Sequence, residues 1–406
     1  GLSLAPPCHQ IGVPCKVLEA ASEIKPLGVG INLQPNAVRE LFELGLEDDL
    51  EKIGIRTKNY ALYSKKGHLI WNEPRGLDAG YHWPQFSLHR GKLQNLLYQK
   101  VMERLGPKCL VTDAKVTGYQ NEPCRITVTH TSKAGAQEET SGSLLIGADG
   151  VHSQVRAQMY PTEGEPIWSG NLLWRATTEA VPFGNGATMA LAGHGTHKFV
   201  TYPISKPDPL TGKATINWIA ELTFDPSLGF RKEDYSRTAE LADFLPHFED
   251  WQFDWLDVPN VIRDADEVYE YPMVDRDPLP KWQDGRVSLM GDAAHVMYPT
   301  GSNGASQAII DARKLGRVFQ DKGLTEEALA TYEAEVRPQM EKTILANRGQ
   351  GPGYIMQLVE EKCGGEYDDI GQVLSHQEMS DFAAKYKATA GFPVDVLNSS
   401  QPILRS

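Results

Sequence analysis

Three carboxylates in this chain stand where a side chain can meet a ligand. Glu19 follows a short run, Lys16–Leu18. Asp149 follows "LLIGA", and Asp292 follows "VSLMG". Each run reads as a strand, and open α/β folds bind ligands beyond the carboxyl ends of their strands. An ionised carboxylate only accepts hydrogen bonds, so three of them suit a ligand with several hydroxyls, such as a ribose and a sugar-alcohol chain. The glycines beside Asp149 and Asp292 let backbone approach that ligand. Beyond Asp292, "PTGSNGASQA" (Pro299–Ala308) turns into a helical pattern near Gly301-Ser302-Asn303-Gly304. A glycine-rich helix start offers N–H groups and a positive dipole end to an anion.

Gly1 and Glu19 stand at nearly the spacing of a dinucleotide-binding βαβ unit, in which an acid about 20 residues beyond the glycine turn takes the ribose hydroxyls. On that reading Gly1 is the last glycine of the turn, and the first strand and most of the turn are missing. The other reading of Glu19 is a surface acid after a strand.

The elements that must position these residues follow from periodicity. Gly30–Gly54 carries helical spacing, with Val38, Leu41 and Phe42 on one face. Tyr60–Tyr63 and His68–Trp71 flank Lys65-Lys66-Gly67 as a hairpin. Phe86–Gly106 leads into an amphipathic helix, and Ser143–Arg156 reads as strand, turn and helix start. From about Ile167 to Tyr271 the chain is rich in Trp, Thr, Tyr and Pro in short alternating runs, which predicts an antiparallel sheet inserted into an α/β domain. Charged helical sequence resumes over Glu326–Arg348. The tail beyond Gly351 is expected to be helical in parts and to end loosely. The division expected is 1–55, 85–165 and 276–350 for the cofactor domain, 56–84 and 166–275 for the sheet domain, and 351–406 for a helical tail.

The net charge of −13 over 406 residues argues against nucleic acid or an anionic membrane as partner, since either wants a basic face. No apolar run is long enough to span a bilayer. The five cysteines are scattered, odd in number and without a Cys-x-x-Cys pair, so neither a metal site nor a disulfide framework is expected. The cytoplasm is the simplest home, although a chain that begins with Gly leaves room for an upstream targeting segment.

"GADGVHSQVR" and "GRVSLMGDAAHVMYPTGSNGASQAIIDA" resemble the Asp-Gly and Gly-Asp motifs of single-component FAD-dependent aromatic hydroxylases of the para-hydroxybenzoate hydroxylase type. "LEAASEIKPLGVGINLQPNAVRELFELGL", "YPMVDRDPLPKW" and "ILANR" are similar to the phenazine-modifying and salicylate-hydroxylase-like branch. The resemblance runs to about Gly351. It departs at the absent glycine turn and at Pro6-Pro7-Cys8, where the family has an apolar helix; a proline costs roughly 3 kcal/mol in a helix interior but is tolerated in the first turn.

The resemblance implies a Rossmann-like FAD-binding domain with an inserted antiparallel substrate domain. It implies that NADH or NADPH reduces FAD, that O2 adds at flavin C4a, and that an electron-rich aromatic carbon takes the distal oxygen. The aromatic substrate would be carboxylated or phenolic, with loss of CO2 at the same carbon as one outcome. Asp292 would hold the ribityl chain or the pyrophosphate edge, against a plain role as helix cap. Asp149 would contact cofactor or hold its own turn. Arg90 would face the pyrophosphate with its guanidinium fork, and Glu19 the ribose. Pro299, Gly301, Ser302, Asn303 and Gly304 would line the flavin's pyrimidine edge. His295 is either a base or an ordering residue of its loop, and Tyr202 either touches substrate or packs in the sheet. Trp174-Arg175 lies on the sheet over the pocket, with Met297 and Tyr298 as wall. A halogenase or reductase on the same scaffold, or a homologue that has lost FAD, are the alternatives.

Overall fold

The computed structural model describes residues 1–24, 29–225, 227, 237–349, 351–389 and 393–404. The α/β part is built on short parallel pairs. Val17–Leu18 pairs with Leu110–Val111, and Leu145–Gly147 pairs with Val287–Leu289. Each parallel pair places its carboxyl ends on one side, which brings the residues after Leu18, Gly147 and Leu289 toward a common ligand edge. Helix Gly304–Lys322 packs on this layer through Ala312, Leu315 and Val318, and helix Glu326–Arg348 covers it through Leu329, Tyr332 and Val336.

The alternating region folds as expected into one seven-stranded sheet. Its order is Tyr269–Asp275, Ile167–Ala180, Ala214–Thr223, His197–Pro203, Thr188–His194, Asn59–Tyr63 and Leu69–Pro74. The single parallel contact is between Thr188–His194 and Asn59–Tyr63. Side chains alternate between faces along each strand. Trp174, Phe199 and Trp218 fill one face against Phe244, Phe248, Trp251 and helix Val258–Arg263. On the other face Tyr60, Leu62, Met189 and Leu191 pack against Ile355, Met356 and Val359 of helix Tyr354–Cys363. The rest of that second face, which carries Arg175, Asn217 and Tyr202, looks toward the cofactor part. There the Gly30 N–H donates to Asn217 Oδ1 at 2.6 Å.

Three expectations change. The helical pattern read over Gly30–Gly54 begins as a strand, Gly30–Leu33, and only then becomes helices Pro35–Glu43 and Glu47–Ile53. Pairing with Gln85–His89, which continues into Thr57–Gly54, outweighs local periodicity. Phe86–His89 is strand and leads into helix Arg90–Leu105, in line with the pattern read over Phe86–Gly106. Pro6 and Pro7 lie in the first turn of helix Ala5–Gln10, where a missing N–H costs nothing, and both are buried.

The tail is not loose over its last described residues. Arg39 Nη1 donates to Ser400 Oγ at 2.7 Å, Ile403 N–H to Glu40 Oε1 at 3.1 Å, and Arg313 to the Leu404 carbonyl. Glu40 also pairs with Arg313 at 3.0 Å, with both side chains sealed from solvent. The last described turn therefore straps helix Pro35–Glu43 to helix Gly304–Lys322.

Candidate cofactor and substrate site

Strand Val287–Leu289 ends at Met290, and Gly291 turns the chain with φ 57° and ψ −144°. That backbone conformation disfavours any side chain, so Gly291 is required by the turn. Its N–H donates to Asp311 Oδ2 at 2.8 Å, and His295 Nε2 donates to the same oxygen at 2.6 Å. Both His295 and Asp311 side chains are fully buried. Burial pulls the imidazole pKa down, but the Asp311 carboxylate, its hydrogen bond and Asp292 outweigh it, and the net direction is up. The structure thus brings His295 to Asp311 beneath the turn.

What remains at the surface of this turn is Asp292. It is exposed in the first turn of helix Asp292–His295, and no described residue hydrogen-bonds its carboxylate. Asp149 is different. Its Oδ1 accepts from Ser153 Oγ at 2.5 Å, and its Oδ2 from the N–H groups of Gln154 at 2.7 Å and Val155 at 3.2 Å. The carboxylate is engaged in starting helix Gln154–Met159, as the turn-holding reading has it.

The two motifs are tied together by Arg156, whose part in this the sequence reading did not single out. It is 2% exposed. Its Nε donates to Glu163 at 2.8 Å, and Nη1 to the carbonyls of Ala293 at 3.0 Å and Ala294 at 3.2 Å. One guanidinium therefore fixes the Asp149 turn against the Asp292 helix.

Gly1 lies beside strand Val17–Leu18, where an added Cβ would come 3.2 Å from Val17 Cγ1. Gly1 is within electrostatic reach of Glu19 and Asp149, so these three residues converge. Glu19 is half-buried, and its Oε1 accepts from the Ala21 N–H at 2.9 Å. Arg90 is exposed at the start of its helix, and its N–H bonds the Val29 carbonyl at 3.0 Å. No described side chain pairs with its guanidinium.

Pro299–Gly301 forms a short helical turn, Ser302 follows at φ 49°, and Asn303 leads into helix Gly304–Lys322 without a side-chain bond to its first turn. Pro299 is exposed, Gly301, Ser302 and Gly304 are half-buried, and Asn303 is buried. Gln34 crosses to this loop, its N–H donating to Ser306 Oγ at 2.9 Å. Three buried polar atoms around the same junction have no partner among the described residues: Gln34 Oε1, Asn217 Nδ2 and Arg175 Nε. Burying such atoms unsatisfied costs about 1–3 kcal/mol each. Gln34 and Asn217 meet at the contact between sheet and helix start, and Arg175 shares the sheet face with Asn217, an arrangement that fits a polar planar ligand. Tyr202 lies beside Arg175 on the same face. It is 3% exposed, and burial pushes its hydroxyl pKa up to about 12 against the pull of Arg175. Tyr298 O–H donates to the Ile167 carbonyl at 3.3 Å and joins the loop to the sheet.

Gln34, Asn217 and Asp311 escaped sequence reasoning. Asn217 alternates with Ile216 and Trp218 and reads as a solvent-facing strand position. Asp311 reads as a surface acid on a helix. Gln34, before Pro35-Asn36 in the quoted motif, was the one with a signal.

The model of a family described as the FAD binding domain matches residues 1–346. The chain belongs to this family. It is 42% identical over 353 residues to a phenazine 1,6-dicarboxylic acid hydroxylase, PhzS, of Lysobacter antibioticus, covering 86% of each chain. It is 31% identical over 338 residues to an aurachin C monooxygenase/isomerase of Stigmatella aurantiaca, covering 82% of each. Among solved structures, FqzB aligns with a TM-score of 0.72 at 21% identity, covering 99% of this chain and 93% of that one. Klebsiella pneumoniae HpxO complexed with FAD and uric acid aligns with a TM-score of 0.69 at 21% identity, covering 98% and 92%. FAD is the cofactor of this flavoprotein, and its chemistry is aromatic hydroxylation; the relatives give the halogenase alternative no support. No described helix is long and apolar enough to cross a membrane.

Proposed function

We propose that the chain hydroxylates a carboxylated or phenolic aromatic compound, with NADH or NADPH as reductant and O2 as co-substrate. The observation that carries this reading is the junction itself. An unpaired carboxylate, Asp292, and an uncapped glycine-rich helix start meet three unsatisfied buried polar atoms beneath a sheet wall.

On this reading Asp292 accepts from ribityl hydroxyls, Glu19 from ribose, and Arg90 holds phosphate oxygens. Gly301, Ser302, Asn303 and Gly304 present backbone N–H groups to the ring's electron-rich edge, and Gln34 and Asn217 complete their hydrogen bonding on it. FAD, when bound, supplies the redox and oxygen-transfer chemistry. The protein's work is then to orient an aromatic ring and to exclude water. Tyr202 and Tyr298, both nearly sealed, form the wall on the sheet side, and no side-chain base is required. The His295–Asp311 pair acts through the backbone at Gly291. The same reading assigns 56–84 and 166–275 to substrate, the rest up to residue 350 to cofactor, and no role to nucleic acid.

The test is a visible spectrum of the purified protein after addition of FAD and desalting, followed by NAD(P)H oxidation with a panel of aromatic acids and phenols. Retained flavin bands and substrate-stimulated oxidation with a hydroxylated product are expected. Retained flavin with no stimulation by any aromatic compound would refute the substrate class.

A further inference from the structure

Arg175 is the one cation on the sheet face that looks toward the cofactor loop for which the structure provides no counter-charge among the described residues. Register places it. Arg175 opposes Ile219, and Ile219 opposes Val200, so the three side chains share a face. Two residues on, Thr177, Asn217 and Tyr202 oppose one another on that same face. Asn217 accepts the Gly30 N–H, and Gly30 leads through Leu33 to Gln34, which touches Ser302 and Ser306 of the flavin loop. Arg175 is thus one strand away from a direct contact between sheet and cofactor part.

Its surroundings are aromatic and apolar. The guanidinium lies over the Tyr271 ring, 5.3 Å from its centroid, and near Tyr202. Val200, Ile219 and Arg175 are half-buried, while Leu173, Asn217 and Tyr202 around them are buried. Access to this face is therefore through the patch they form. Arg90, a second cation, also acts on Arg175, and burial together with Arg90 moves the Arg175 pKa down. Arg175 Nε is sealed from solvent without a partner, and a guanidinium so desolvated, with another cation acting on it, is costly unless an anion joins it. The planar fork suits a carboxylate bidentately, and the Tyr271 ring and the aliphatic pair suit the flat body that carries it.

We infer that Arg175 binds the carboxylate of an aromatic acid and so selects the acid, rather than its neutral derivatives, as substrate. The inference rests on the monooxygenase reading above and adds the residue that sets its specificity.

The experiment uses FAD-saturated protein and titration calorimetry, with phenazine 1,6-dicarboxylic acid and its dimethyl ester as probes. In the unaltered protein the acid binds more tightly. Arg175→Gln weakens the acid by about 10- to 150-fold, the range of a hydrogen bond to a charged group, and changes the ester by less than about threefold. Arg175→Lys keeps part of the preference, since it restores charge without the fork. Equal weakening of acid and ester in Arg175→Gln would show a packing role and overturn the inference. So would an unchanged acid affinity, or an unaltered protein that takes the ester and not the acid; either leaves the monooxygenase reading standing. Flavin lost from a folded Arg175→Gln would reassign the residue to the cofactor's phosphates. An unaltered protein that retains no FAD would overturn the functional reading and this inference with it.

Discussion

Asp311→Asn probes the support beneath the cofactor turn. The carboxylate is fully buried and accepts from His295 at 2.6 Å and from the Gly291 N–H at 2.8 Å through one oxygen. Asparagine keeps the shape but removes the charge, and its amide must satisfy two donors that both seek that position. Removing one partner of a buried ion pair costs about 3–5 kcal/mol. The cost depends on pH, and the sign follows from His295. Its folded pKa is raised above the ordinary histidine value. The pair's contribution is therefore fully present below about pH 6.5 and is lost as pH rises through the folded pKa. Urea denaturation of protein and variant across pH 5.5 to 9 reads the difference directly. The stability gap between them is expected to be largest at the acid end and to narrow steadily toward the alkaline end. A gap that stays constant or widens with pH would refute the charged-pair account. FAD affinity of the variant is expected to fall alongside, because Gly291 and Asp292 ride on the same tether.

Other perturbations separate cofactor contacts from scaffolding. Asp292→Ala removes an exposed carboxylate with no described partner, so stability should change by less than about 0.5 kcal/mol, read by urea denaturation, while the FAD dissociation constant rises at least about tenfold, read by flavin fluorescence titration; a large stability loss or an unchanged FAD affinity would refute the cofactor role. Gly30→Ala places a Cβ 2.7 Å from Asn217 Cβ, a clash between sheet and cofactor part that should cost about 1–3 kcal/mol, and an unaltered unfolding midpoint would show that the two parts yield freely. Arg156→Met strips the Ala293 and Ala294 carbonyls and most of the Glu163 pairing, leaving Glu163 to Arg276 at 3.3 Å. A loss of about 3–5 kcal/mol is expected in chemical denaturation, with faster flavin release, and a variant as stable as the parent would show that the motifs need no clamp.

Much of the architecture was legible in the residues. Strand ends punctuated by Gly-Asp, the alternating run from Ile167 and the charged helix over Glu326–Arg348 each follow from local pattern, because period and turn chemistry act over a few residues. The position of Asp292 and of the glycine-rich start at Gly304 followed in the same way. Local pattern failed at Gly30–Leu33, where pairing with Phe86–His89 decides, and at the tail, whose anchors lie far off in sequence, Arg39 and Glu40 more than 300 residues away and Arg313 91 residues away.

The sequence by itself determined the strand-to-helix elements at the Asp149 and Asp292 motifs, the acids at strand ends and the family. Only the tertiary structure decided which of those residues remain available. Asp149 and Asp292 look alike in sequence, yet one carboxylate is consumed by its own helix start and the other is left open. Arg156 and Arg175 are both half of a strand–helix or strand motif, yet one is saturated by carbonyls and Glu163 while the other faces aromatic rings without a counter-charge. Hydrogen-bond satisfaction is set by which distant backbone and side-chain groups the fold brings within about 3 Å, and no local pattern carries that information.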